Sequence, residues 1–283
     1  MKLKMDVIDE LQYIPQDIQM DLNGSTFSID GMSLADNELD VFASGEGEKL
    51  YAANSTGVML STLWSQSGIA KVGNNTTITY NEYCPYISGT QKHSVTGCTN
   101  TAAGQILYYF IEQGELDLQL TLTDDDAYTD DNGLKINADG STPGTVSFSV
   151  INSKIANYDL NSADDAAALV YACGVVQEAT YGGYTSTAWS TNLFYRAGFE
   201  CAINTYIPNK EAFWGVEGNL SEGGFEVLIE NLTAGRVVGT SSPGHALVID
   251  GYDAEADKFH INFGWGNSTS TAWYTRAEMN AEG

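Results

Sequence analysis

The stretch Gly97-Cys98-Thr99-Asn100-Thr101-Ala102-Ala103-Gly104-Gln105-Ile106-Leu107 sets a cysteine where a helix begins, among small residues and ahead of an apolar run at helical spacing. The first amides of a helix lack intrahelical acceptors and carry partial positive charge, so they favour thiolate over thiol and can also hold an oxyanion. The spacing predicts a helix running to about Gln113, closed by Gly114. Cys98 is therefore the candidate nucleophile, against the ordinary fate of a free cysteine as a buried, inert small hydrophobe. Cys84, Cys173 and Cys201 fit that ordinary fate, Cys173 lying mid-helix among Ala172, Val175 and Val176.

Outward from this helix the pattern alternates between helical and strand-like segments. Met59 to Gln66 opens the main body, a Gly/Asn/Thr-rich loop follows, and 115–160 reads as strands and turns. Ser162 with Asp165 forms a capping pair ahead of a core helix from Ala163 to Glu178. A small-residue loop, Tyr181 to Ala188, leads into a helix through Leu193-Phe194-Tyr195 that Gly198 ends, and Glu222 to Leu232 forms another helix. Strands are predicted at Arg236 to Gly239, His245 to Asp250, Lys258 to Phe263 and Ala272 to Thr275. Residues 1–56, acidic and bounded by the Gly/Glu-rich loop Ser44–Glu48, read as a leader apart from a main domain over 57–283.

Composition narrows the partners. The chain has 283 residues, 43% of them apolar, enough for a full core, and 12 Lys+Arg against 37 Asp+Glu give a net charge of -25. That charge repels phosphate backbones and anionic lipid surfaces, which disfavours nucleic-acid and membrane-surface roles. No segment is apolar and long enough to span a bilayer, and acidic residues interrupt what would be the apolar core of a signal peptide in the opening MKLKMDVIDELQ. The four cysteines form no C-x-x-C pair, and in Asp124–Asp126 with Asp130–Gly133 the first ligand position of a calcium loop would fall on Tyr128. A solvated acidic loop is the expectation there, and no metal or organic cofactor is expected.

A cysteine nucleophile needs a base, and the chain has three histidines, His93, His245 and His260. His245 follows Ser241-Ser242-Pro243-Gly244 and stands at the mouth of the buried strand Ala246-Leu247-Val248-Ile249, a rigid mount for an imidazole. His260 alternates with Phe259 and Ile261 and reads as a structural or surface histidine, while His93 sits in a polar loop.

Three segments together resemble the streptopain-like cysteine peptidases of the papain clan. Gly97 to Ile106 follows the family's nucleophile helix, Gly244 to Gly251 follows its Gly-His-Ala-x-Val-Ile-Asp-Gly strand, and Asn262-Phe263-Gly264-Trp265-Gly266 follows its Asn-Trp-Gly-Trp-Gly turn. The resemblance covers roughly 57–283 with the motifs in the clan's order. It implies an α+β, papain-like fold of two subdomains, a helical part carrying the nucleophile helix packed on an antiparallel sheet carrying the histidine. It implies an endopeptidase acting on polypeptides through a thioacyl-enzyme on Cys98, with His245 as acid and base, Gln66 of Trp64-Ser65-Gln66 as side-chain oxyanion donor, and Asn262 or Trp265 orienting the imidazole. Ser186, Thr187 and Gly244 become candidate substrate contacts, and 1–56 the remnant of a propeptide in a secreted or cell-surface zymogen. Two departures stand out: Phe263 replaces the first Trp of the turn, and Thr99-Asn100 replaces the usual small apolar pair after the cysteine.

Two other readings use the same residues. One is a transglutaminase-like acyltransferase with Asp250 or Asp253 as the third group, although alternation sets Asp250 on the face opposite His245. The other is a non-catalytic peptidase-like binding module, against which the intact Gln66, Cys98 and His245 stand.

Overall fold

The run Ala246-Leu247-Val248-Ile249 is apolar without alternation, the pattern of a strand covered on both faces. The computed structural model describes residues 55–72, 76–199, 222–242, 244–266 and 271–281, and with them the paired segments Ser28–Ile29 (β1) and Met32–Ser33 (β2). In it His245–Asp253 forms a nine-residue strand whose interior, Ala246 to Tyr252, is buried throughout. Of the leader predicted over 1–56, the rest of residues 1–54 lies outside the described residues, as does Cys201.

That strand, β9, organises an antiparallel sheet. One edge carries Gly57–Val58 (β3) beside Tyr252 and Gly251, and Val238–Ser242 (β8) beside Ile249 to His245. The other edge carries Lys258–Asn262 (β10), which in turn pairs with Thr271–Thr275 (β11). The register between β9 and β10 shifts at His260/Ile261, a bulge that turns Asp250 towards His260. Two short hairpins lie outside this sheet, Ile69–Val72 (β4) with Thr76–Thr79 (β5), where a loop was expected, and Tyr128–Thr129 (β6) with Lys135–Ile136 (β7).

Helices cover both faces. Val248 joins a core built on Ile106, Leu107 and Phe110 of the helix Cys98–Glu112 (α1) and on Leu169 and Val175 of Ala163–Val176, while Leu247 and Ile249 pack with Phe225, Leu228 and Ile229 of Glu222–Thr233. Each fully buried aliphatic or aromatic side chain here stabilises the fold by about 1.5–3 kcal/mol relative to exposure. The result is a mixed fold of helices and antiparallel sheet in which α1 lies against the strand that begins with His245.

The helix Phe148–Ala156 (α2) corrects the reading of 115–160 as strands and turns. Its buried face, Phe148, Ile151 and Ile155, is helical in spacing, but the β-branched Val150, Ile151 and Ile155 carry strand propensity that packing overrides. The Ser162 cap is as expected, its hydroxyl accepting from Asp165 N at 3.1 Å ahead of Ala163–Val176 (α3). The helices that follow, Thr191–Ala197 (α4), Glu222–Thr233 (α5) and Arg276–Ala281 (α6), include the predicted Gly198 end, at φ 114°. The acidic loop is exposed at Asp124, Asp125 and Asp131, as expected, whereas Asp130 is buried and its carboxylate accepts the amides of Asn132, Leu134 and Tyr181.

Candidate active site

Cys98 is the first residue of α1, and the residue before it sets how it is presented. Gly97 is the N-cap at φ 91° and ψ 144°, a conformation nearly closed to residues bearing a Cβ. A Cβ there would also lie 3.1 Å from Thr185 Cγ2 and 3.3 Å from the Thr185 carbonyl, so glycine lets the Thr185 loop close against the helix start.

The half-buried Cys98 thiol meets His245 at the mouth of β9. Burial pushes the thiol up, but the hydrogen bond to His245, the Ala246 backbone, the imidazolium charge and the Thr99 backbone together bring it below its ordinary value. Burial likewise pulls His245 down, and the hydrogen bond with Cys98, the Phe263 backbone and the thiolate charge bring it above its ordinary value. The opposed shifts move the pair in the direction of thiolate and imidazolium.

The tautomer of the neutral ring follows from its neighbour. His245 Nε2 lies 2.8 Å from the Phe263 carbonyl, which can only accept, so Nε2 carries hydrogen and Nδ1 is left to exchange a proton with Cys98. A main-chain carbonyl is thus the partner of Nε2. Asn262 uses its carboxamide differently, donating to the Thr62 carbonyl at 2.9 Å and accepting Gly264 N at 2.9 Å, and so it shapes the turn that presents Phe263. The Phe263 and Trp265 rings flank the imidazole at centroid distances of 6.3 and 5.1 Å. Because a main-chain carbonyl supplies the bond to Nε2, the departure at Phe263 leaves that contact in place.

Gln66 is half-buried between the helix start and the tryptophan turn. Its carbonyl accepts Thr96 N at 2.9 Å, two residues before Cys98, while the preceding Ser65 bridges to Trp265. Gln105, by contrast, is fully buried and accepts from Thr62 Oγ1 and Trp64 N, which braces the extended segment that carries Gln66.

The small-residue loop forms a wall beside this site. It is pinned by a Thr180–Ser186 bridge and by Thr185 Oγ1 donating to the Val95 carbonyl at 2.6 Å. Ser186 is exposed, and Thr187 is half-buried with its hydroxyl on Asn100. Facing them are Ser241 and the exposed Gly244, and two links cross between: Trp189 Nε1 to Ser241 Oγ at 3.0 Å, and the Tyr184 hydroxyl to the Gly244 carbonyl at 3.3 Å. A Cβ on Gly239 would sit 2.8 Å from both Ile106 Cδ1 and Trp189 Cη2, so glycine on β8 makes room for that indole.

The remaining candidates are occupied elsewhere. His93 Nδ1 contacts the Cys84 carbonyl at 2.6 Å and its ring lies on Tyr86. His260 is buried with Nδ1 2.6 Å from Asp250 Oδ1, and Asp250 Oδ2 accepts Leu60 N. Burial pushes Asp250 up, partly offset by His260. Asp253 takes the amides of Glu255 and Ala256. Both aspartates of the acyltransferase reading therefore have local structural partners. Cys84 and Cys173 are fully buried, which pushes their thiols far up. Among the described residues no group of three or more His, Cys, Asp or Glu converges as metal ligands would.

Sequence reasoning missed the Phe263 carbonyl because every residue type carries one. It missed the Asp250–His260 pair because the bulge, which no residue pattern marks, breaks the alternation.

The model of the Peptidase C10 family matches residues 74–274. No curated protein matches the chain. Among solved structures, a Prevotella intermedia prointerpain A fragment with a cysteine-to-alanine mutation is similar at a TM-score of 0.50 and 23% identity, over 81% of this chain and 68% of that one. Active wild-type interpain A cysteine protease of the same organism aligns at a TM-score of 0.47 and 24% identity, over 80% of this chain and 87% of that one.

Proposed function

The chain belongs to the peptidase C10 family, the streptopain-like cysteine peptidases, and from that premise we propose that Cys98 and His245 are its catalytic pair. The observation that carries the assignment is the contact between the Cys98 thiol at the helix start and the His245 imidazole at the mouth of β9, with opposed shifts on the two groups.

The reaction follows from these positions. Cys98 thiolate attacks the scissile carbonyl of a polypeptide, and the carbonyl oxygen becomes an oxyanion held by the Cys98 backbone N–H and the Gln66 side chain. Each such donor is worth about 2.7–4 kcal/mol in comparable acyl-transfer sites. Collapse of this intermediate breaks the C–N bond as His245 Nδ1 protonates the leaving amine. The same nitrogen then takes a proton from water, which attacks the thioester and releases the acid product and Cys98.

The Phe263 carbonyl keeps His245 Nε2 protonated and the ring in plane through the cycle. The Asn262 turn holds that carbonyl, and Trp265 shields the imidazole from water. The surface that Ser186, Thr187 and Gly244 present beside Cys98 would take the substrate backbone. In this reading the architecture is papain-like, with the α1 core and the β9 sheet as two subdomains, 57–283 as the catalytic domain, and 1–56 as part of a propeptide in a secreted zymogen.

Cleavage of casein by the native protein, and its loss in Cys98→Ala and His245→Ala variants that keep native circular dichroism, tests the assignment. Full activity in either folded variant would refute it. Resolution of the acyl-enzyme by added amine in preference to water would favour the acyltransferase reading, and failure of Cys98 to react with an irreversible cysteine-protease inhibitor would favour the binding module.

A further inference from the structure

Thr99 and Asn100 stand where the family resemblance leads to a small apolar pair, and both are buried. Asn100 directs each end of its carboxamide to a different element. Nδ2 donates to the Thr96 carbonyl at 2.7 Å and to Thr187 Oγ1 at 3.1 Å, and Oδ1 accepts Gln177 Nε2 at 3.0 Å. Gln177, capping the end of α3, then accepts Ser190 N through Oε1 at 3.0 Å. Thr99 Oγ1 adds a bond to the Thr187 carbonyl at 2.8 Å. Two buried amides thus tie the turn before Cys98 to both ends of Thr187–Ser190, the stretch whose Trp189 hydrogen-bonds Ser241 of β8.

We propose that Asn100 and Gln177 are positioning residues that hold the Thr187–Ser190 wall, against which a substrate peptide would lie, in register with Cys98. This rests on the peptidase reading and adds to it the residues that set where a peptide lies. An apolar pair could fill the same space, but it would leave the wall free to slide along the helix. A buried carboxamide bonded at both ends has one orientation, and moving the wall breaks several bonds together. Neither amide is called on to touch the thiol or the imidazole, so their loss acts on peptide binding and leaves thiol reactivity in place.

The test uses the full chain and three variants, Asn100→Ala, Gln177→Ala and the milder Thr99→Val, which keeps the volume and removes only the bond to Thr187. In the alanine variants KM for a peptide substrate rises about tenfold, the scale of a lost buried hydrogen-bonding group, with a smaller change in kcat. The double alanine variant is no worse than the worse single one, since both break one network. Thr99→Val raises KM by about threefold, as one lost hydrogen bond in a retained network would. Iodoacetamide alkylation of Cys98 stays within about twofold of native in all of them, because the catalytic pair is undisturbed. Hydrogen exchange at the Ser190 amide rises in both alanine variants.

Unchanged KM and Ser190 exchange in folded variants would overturn the proposal, and so would additive effects in the double variant. Loss of alkylation together with cleavage in Thr99→Val would place the effect on the nucleophile and overturn it too. Should the native protein label at Cys98 yet cleave no peptide, the peptidase reading falls, and Ser190 exchange alone decides whether the network holds the wall.

Discussion

Replacing Gly97 by alanine tests how the nucleophile is presented. At φ 91° and ψ 144° the new side chain would sit in a nearly glycine-only region, at a strain of about 1–3 kcal/mol. Its Cβ would also press Thr185 Cγ2 at 3.1 Å and the Thr185 carbonyl at 3.3 Å, and such overpacking adds about 1 kcal/mol. The lower entropy of the unfolded alanine chain offsets about 0.5 kcal/mol of this. The net loss is about 2.5 kcal/mol, which lowers the urea midpoint by about 0.8 M at a slope of about 3 kcal/mol/M. The Cys98 amide follows directly on the strained residue, so kcat falls by at least about tenfold as this oxyanion donor moves, towards the 100-fold of a donor fully lost. Equilibrium urea unfolding and steady-state peptide cleavage measure the two effects. A midpoint within about 0.2 M of native together with kcat within about twofold would refute the helix-start geometry, since neither effect could then be as large as those worked above.

Gln66→Ala lowers kcat by about 100-fold with little change in KM if its side chain holds the oxyanion, as single-turnover cleavage would read. Asn262→Ala removes the partners of the Thr62 carbonyl and Gly264 N; it costs about 1–3 kcal/mol of stability in urea unfolding and lowers kcat through the loosened Phe263 carbonyl. Cys84 and Cys173, fully buried with thiols pushed far up, stay unlabelled by iodoacetamide in the native protein and react only after denaturation, as peptide mass mapping would report.

The sequence made the helix at Cys98 legible because a thiol, small residues and apolar spacing coincide there, and the strand at His245 because an apolar run follows a turn. The helix Phe148–Ala156 was hidden by its β-branched residues, whose local preference tertiary packing outweighs. The partner of His245 was hidden for a different reason. Trp265 lies on the ring, but the hydrogen bond to Nε2 goes to the Phe263 carbonyl, so the departure from the family pattern at Phe263 retains it. Thr99 and Asn100 looked like losses in the same way, until the positions of Thr187 and Gln177 gave their polar atoms partners. Polar partners far apart in sequence depend on where loops close, and composition carries no record of that.

The pairing of Cys98 with His245 is tested most directly by the pH dependence of iodoacetamide alkylation, located at Cys98 by mass mapping, in the native protein and in His245→Ala. The thiol is lowered and the imidazole raised, both shifts in the direction of a thiolate–imidazolium pair, so the thiolate forms at a lower pH than in an isolated cysteine. In the native protein, labelling therefore rises below the ordinary thiol value of about 8.5, and in His245→Ala the rise moves upward, since burial then acts on the thiol without the imidazolium. A native profile that rises only above the ordinary thiol value, or one that His245→Ala leaves unchanged, would contradict the pair.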